Sequence, residues 1–541
     1  MSGAQQSTDW WCGAVVLVWL MHQGHALAIE QAAAPRPSTD PASAAPSQLV
    51  EELSALLENG DLTSVRTRVD QALSRYPSSA PLLNLAGVVD AQQGAYGPAE
   101  RHFRAAIARD SRLTPAYMNL GRLYQEHAKD DADAPEKALA VYRSLLGVDP
   151  GNAEALFQAG YLSACAGDWA SSRSLLERLP VPARSRPQVL VLLAADLTGM
   201  AQRDRASEMT DALLRHPDLA EDDIVAAFPA LDRLNDDGFS ERLYEGLDAR
   251  YAASSESLHR LGVVQMRLGR LDRARGTLDR AVETAGAPSA SLLLDLARVS
   301  YKQKDFERAL GYLAHARDLD PQNAEVHFFF GIASVELNLG NEAYESLKRA
   351  VALAPDNPFV NYALGAVAIH RHEPSEALPY FEAYVRLRPD DPRGRFALGA
   401  AKFYSNMLDA ARVDLARAAQ APETAAGAHY FLGRIARQSN EAETAQAEID
   451  LALKVDPQYP DALAELGLLQ TRRGEYQAAE RSLERALTID PENYAATVNL
   501  TALYARTRDP RREAQAARLE ALQQKRAVAA QEFLRIVRVV R

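Results

Sequence analysis

An all-α fold, an α-solenoid of about thirteen helix-turn-helix repeats, is what this sequence predicts, and three observations predict it. Prolines fall on a 34-residue grid at Pro321, Pro355, Pro389, Pro457 and Pro491, and the one missed point lands at Glu423, beside Pro422. Small residues keep the same period, with glycine at Gly331, Gly365, Gly399, Gly433 and Gly467, and alanine at Ala309, Ala343, Ala377, Ala411, Ala445 and Ala479. The 541 residues also exceed what one compact core organises, and the abundance of Ala, Leu, Arg and Glu favours helix.

The chain opens on an apolar run, Trp10 to Met21, followed by Ala26-Leu27-Ala28. That order fits the apolar region and small-residue cleavage site of an export signal, too short to span a bilayer, although no Lys or Arg precedes it. Residues 1–28 are therefore expected to be a signal peptide, with cleavage after Ala28 and an extracytoplasmic mature chain. An uncleaved membrane anchor is the alternative. Residues 29–47, rich in Ala, Pro and Ser, are too polar and proline-rich to fold and read as a linker.

A front array of repeats is expected over 48–180, with an acidic insertion between the two helices of one pair, around His127 to Pro135. Over 181–253 the period fades. Pro229 falls where a helix interior would be, the run Glu221-Asp222-Asp223 reads as solvated, and two degenerate helical pairs or a hinge are expected. The regular array resumes over 254–505. Residues 506–541 carry ten Arg or Lys against four Asp or Glu and are expected to form a helix covering the open end of the array, with a basic tail for which weak contact with an anionic surface is the alternative.

Within each repeat the residue types have steric reasons. Proline ends the second helix, because it cannot donate to the helical ladder and turns its predecessor away from α geometry. Gly and the first Ala mark a close crossing of the paired helices. The register Leu313, Leu347, Phe381, Leu415, Ile449 and Leu483 is expected to fill the gap to the next pair. The segment from Asp461 to Pro491, with its Leu-Gly, Tyr, Ala, Leu and Pro, resembles the tetratricopeptide-repeat family, whose unit is a 34-residue helix-turn-helix. The resemblance covers the chain from about Gln48 onward. It implies a right-handed superhelix whose first helices line a concave, peptide-binding groove.

One register in that groove stands out: Phe328, Tyr362, Phe396 and Tyr430 are aromatics 34 residues apart, flanked by Leu294 and Ala464 at the equivalent places. With Phe403, Arg434 and Arg437 one or two turns further on, they form a candidate partner-binding stripe of aromatic faces and guanidinium forks; the alternative is that the register only packs, since the resembled family often places an aromatic there for packing. Such a stripe suits a peptide carrying apolar anchors and carboxylates. Asn119 and Asn499 stand too far apart to form a clamp for a terminal carboxylate.

No catalytic chemistry is expected. No phosphate loop, dinucleotide fingerprint, nucleophile elbow or zincin motif occurs. The two cysteines, Cys12 and Cys165, cannot build a disulfide framework or a thiolate metal site. His370 and His372 lie two residues apart with no carboxylate at helical spacing, so neither metal nor cofactor is expected. The net charge of −12 disfavours nucleic acid, which needs clustered cations. The sequence therefore predicts a non-catalytic protein-interaction scaffold. A non-catalytic subunit of a cell-envelope enzyme, polymer-export or assembly machine is the alternative, and the oligomeric state is left open.

Overall fold

The computed structural model describes residues 47–58, 62–127 and 131–528. The expected signal, most of the linker and the end of the basic tail lie outside the described residues. Thirty helices and no strand occur among those described, and apart from the short Val181–Arg184 and one helix split in two they pair two by two along the chain. The first pair is Ser47–Glu58 with Leu62–Arg75, and the last is Tyr494–Thr507 with Arg512–Val528. That last helix buries Gln515 and Leu522 and donates from Arg518 Nη2 to the Pro491 carbonyl at 2.8 Å. It is therefore the second member of a final pair. None of the described helices is long and apolar enough to cross a membrane.

The glycine register has a direct steric cause. A Cβ on Gly331 would stand 2.5 Å from Leu347, one on Gly399 2.7 Å from Leu415, and one on Gly467 2.5 Å from Leu483. The medium apolar residues thus sit on the glycine of their own pair. Filling the gap to the next pair, the role the sequence suggests for them, is not their main one. The first alanine of some pairs also comes near through its backbone, since the Ala343 carbonyl would lie 3.3 Å from that Gly331 Cβ and the Ala479 carbonyl 3.2 Å from one on Gly467.

The turn inside each pair needs a left-handed residue, and the same period supplies it. Lys304, Asn338, His372, Asn406, Asn440, Gly474 and Arg508 all take φ between 56° and 81°. Asn and Gly tolerate that conformation best. His372 is therefore a turn residue.

The chain divides into two compact units, residues 1–284 and 285–541. In the first, Pro187–Gly199 and Arg203–Arg215 form an ordinary pair. The next first helix is split in two, Glu221–Val225 and Phe228–Leu234. Pro229 stands in the opening turn of the second piece, where its missing N–H costs nothing, so it starts a helix instead of interrupting one. Phe228–Leu234 packs on the first helices Ala153–Cys165 and Pro187–Gly199. Phe228 is wholly buried, edge-on to Tyr244 at 5.8 Å and beneath the Arg260 guanidinium at 3.8 Å. Glu221, expected to be solvated, instead accepts bonds from the Ser254 amide at 3.0 Å and the Ser257 hydroxyl at 2.5 Å, at the start of helix Ser255–Arg267.

In the second unit the pairs run regularly from Ala290–Lys302 with Phe306–Leu319 onward. Helix starts there are fixed by side-chain caps: Asn323, Asn357, Asp391 and Asn493 each accept from backbone N–H groups of the following first helix.

A candidate interaction face on the first helices of the second unit

The four ladder aromatics sit at the same place on four first helices, Ala324–Glu336, Pro358–His370, Pro392–Tyr404 and Pro422–Gln438. Their surroundings differ. Tyr362 is only 3% exposed, 5.5 Å from the Phe381 ring and 5.0 Å from Tyr384. Tyr430 is 8% exposed, 5.3 Å from both Phe431 and Tyr459. Burial pushes both phenols well above their usual range. Leu294 and Ala464, at the flanking positions, are buried as well.

Tyr362 and Tyr430 therefore pack inside the array, and Phe328 and Phe396 are the half-buried members of the register. Phe328 lies edge-on to Phe329 at 5.4 Å, and Phe396 edge-on to Phe431 at 5.9 Å. Phe396 also rests on the next first helix, where a Cβ on Gly427 would stand 2.8 Å from its ring.

A cluster of rings gathers between Pro392–Tyr404 and Pro422–Gln438, and Tyr404 is its exposed member. Phe403 is buried, 5.3 Å from Phe431, and Tyr404 beside it is 43% exposed and 5.8 Å from Phe431. Arg434 lies over this cluster, its guanidinium 4.7 Å from the Phe403 ring centroid and 5.4 Å from that of Tyr430. It donates from Nη1 to the Tyr430 hydroxyl at 3.2 Å. Arg437, the other expected fork, is taken: it forms an ion pair with Glu465, and both side chains are largely buried.

Further along the same face, Phe359 is 39% exposed with Arg388 over its ring at 5.5 Å. Arg393 is held by Asp391, from Nη2 to Oδ2 at 2.5 Å. The Tyr384 hydroxyl also donates to Asp391, at 2.7 Å. Burial works against the Asp391 charge, but these bonds outweigh it and hold the carboxyl at about 2.

Tyr404 and Phe431 escaped the sequence reading, because it followed one register at the repeat period. The helical period carried the signal: Tyr404 is two turns beyond Phe396 on one face. The asparagines singled out by sequence are used inside the array. Asn119 donates to Asn84 at 3.0 Å, and Asn499 to the Ala464 carbonyl at 3.1 Å.

A tetratricopeptide-repeat family profile matches residues 259–324, 330–392 and 430–494, and a second profile of that repeat matches 300–358. No curated protein matches the chain. Similar solved structures include YrrB, described as a TPR protein with an unusual peptide-binding site, at 26% identity over 34% of this chain and 95% of that one, TM-score 0.32. They also include PilF of Pseudomonas aeruginosa, at 23% identity over 41% and 97%, TM-score 0.34. Yeast Tom70 is similar at 15% identity over 82% and 99%, TM-score 0.32. The repeated helix pairs, the 34-residue grid and the profile matches show that the chain carries tetratricopeptide repeats between 259 and 494, repeats that generally mediate protein or peptide interactions.

Proposed function

We propose that the protein is a non-catalytic scaffold that holds a peptide or an extended segment of another protein on the first-helix face of its second unit, around Phe396, Tyr404 and Arg434. The observation that carries this reading is the gathering of partly exposed aromatic rings and a guanidinium on adjacent first helices. Aromatic and Arg side chains dominate the energetics of protein interfaces, because they bring large apolar area at little entropic cost. Phe328 and Phe359 extend the same chemistry along the two preceding first helices.

The reading separates binding residues from packing residues. Changing Phe396 or Tyr404 to Ala should each weaken peptide binding by about 1 to 3 kcal/mol, and Tyr404→Ala should leave the melting temperature nearly unchanged because the ring is exposed. Tyr362→Ala should do the reverse, lowering melting temperature with little direct effect on binding. Titration of peptides selected from a displayed library against the full chain measures both. Undiminished binding by the Phe396→Ala, Tyr404→Ala double variant would rule out this face.

A further inference from the structure

Helices Pro392–Tyr404 and Pro422–Gln438 carry five basic residues: Arg393, Arg395, Lys402, Arg434 and Arg437. Four have a carboxylate close by. Arg393 pairs with Asp391 at 2.5 Å, Arg395 with Asp414 at 3.5 Å, Lys402 with Asp414 at 2.7 Å, and Arg437 with Glu465. Arg434 is the exception. No carboxylate among the described residues lies within ion-pair distance of it, and its bonds run only to phenol hydroxyls, those of Tyr430 and Tyr404.

The surroundings make that exception informative. The guanidinium is half-buried, so it has lost part of its hydration, and the ring faces of Phe403, Tyr430 and Phe431 restore only part of what water supplied. A guanidinium has five N–H donors in a fixed fork, and the phenols cannot fill them in the bidentate manner of a carboxylate. Glu465, a carboxylate that acts on Arg434 electrostatically, is already committed to Arg437. The Tyr404 ring that bonds the fork is exposed, and the half-buried Phe396 ring packs at 5.9 Å on Phe431, one of the rings under the guanidinium.

We propose that Arg434 is the anion-binding group of this face, and that the segment it takes carries an internal Asp or Glu one helical turn or less from an aromatic or long aliphatic side chain. The carboxylate meets the open fork, and its apolar neighbour lies on Phe396 and Tyr404. This rests on the reading of the face as a peptide-binding surface and adds what the peptide must contain. Arg434 lies over the rings of Phe403, Tyr430 and Phe431, so a lysine at 434 would keep the charge and lose both the stacking and the bidentate geometry.

The test uses the full chain and an array of short peptides with amidated C-termini, in which acidic and aromatic residues are set at every spacing. Peptides with Asp or Glu next to an apolar residue should be bound. Replacing that acid by its amide should weaken binding tenfold or more, and Arg434→Lys should produce a comparable loss while Arg434→Gln abolishes the preference for acidic peptides. The change made in the peptide leaves the protein untouched, so it reads the interaction even where a variant at 434 folds poorly. Peptides bound equally well as acid and amide, yet lost on Phe396→Ala or Tyr404→Ala, would overturn the role of Arg434 and leave the face standing. Binding that appears only with a free C-terminal carboxylate would overturn the internal acid. Binding of acidic peptides that survives Phe396→Ala, Tyr404→Ala and Arg434→Gln alike, or no binding of any peptide, would overturn both.

Discussion

Asp196 lies on helix Pro187–Gly199 with no exposed surface, accepting one bond, from the Ser172 hydroxyl at 2.8 Å, while its Oδ1 has no partner among the described residues. Burial pushes its carboxyl up to about 8, against the opposing pull of Ser172 and Arg173. The folded chain therefore holds a proton there between about pH 4 and pH 8 that the unfolded chain releases. Stability is full below the unfolded value and falls as pH rises through that window, by up to about 1.4 kcal/mol per pH unit. Asp196→Asn, which imitates the protonated form, should leave the melting temperature unchanged near pH 4 and raise it near pH 8. Melting curves across that range check this, and parallel pH profiles for the two chains would refute it.

At the scale of the helix pair, the close crossings of the two helices organise the fold. A Cβ on Gly365 would stand 2.9 Å from Phe381 Cε1, and the ring is wholly buried with little room to retreat. Gly365→Ala should thus destabilise by about 1 to 3 kcal/mol through overpacking, even though Ala favours helix over Gly. Hydrogen exchange should show the loosening concentrated in Pro358–Leu387 and its neighbouring pairs, because repeats contact only their neighbours. Uniform loosening through the unit would contradict that picture. The repeat was legible in the sequence because Gly365 and its equivalents admit no side chain, so the constraint is written as residue type at a fixed period. The split first helix was less legible. Pro229 is compatible with a helix start or a break, and only the packing of Phe228–Leu234 on two earlier first helices distinguishes them. Whether the aromatic register packs or binds was not legible for a related reason: a ring at 362 or 430 and a leucine at 294 meet the same need for burial, which residue type alone does not reveal. The cluster around Arg434 was partly legible, since Arg434 and Phe403 stand at helical spacings from the ladder, but the pairing of Arg437 with Glu465 depends on a contact between consecutive first helices.

At the scale of the whole chain, the net charge of −12 is the basis for proposing a protein partner, since nucleic acid needs clustered cations. Within one pair of the second unit the two helices present different surfaces: Pro392–Tyr404 carries the half-buried Phe396 and exposed Tyr404 rings, and on its partner Leu408–Ala418 the exposed large apolar residue is Val413. The central claim is that the partner lies on the first-helix face. Photo-crosslinking from single sites in the full chain, within the cells that produce it, tests this most directly, with the crosslinking residue placed either at Tyr404 or at Val413. Both positions are exposed, so both probes are presented to whatever approaches. Adducts with the same partner from position 404, reduced by Phe396→Ala and absent from position 413, are the expected result; adducts from 413 alone, or equally from both positions, would contradict it.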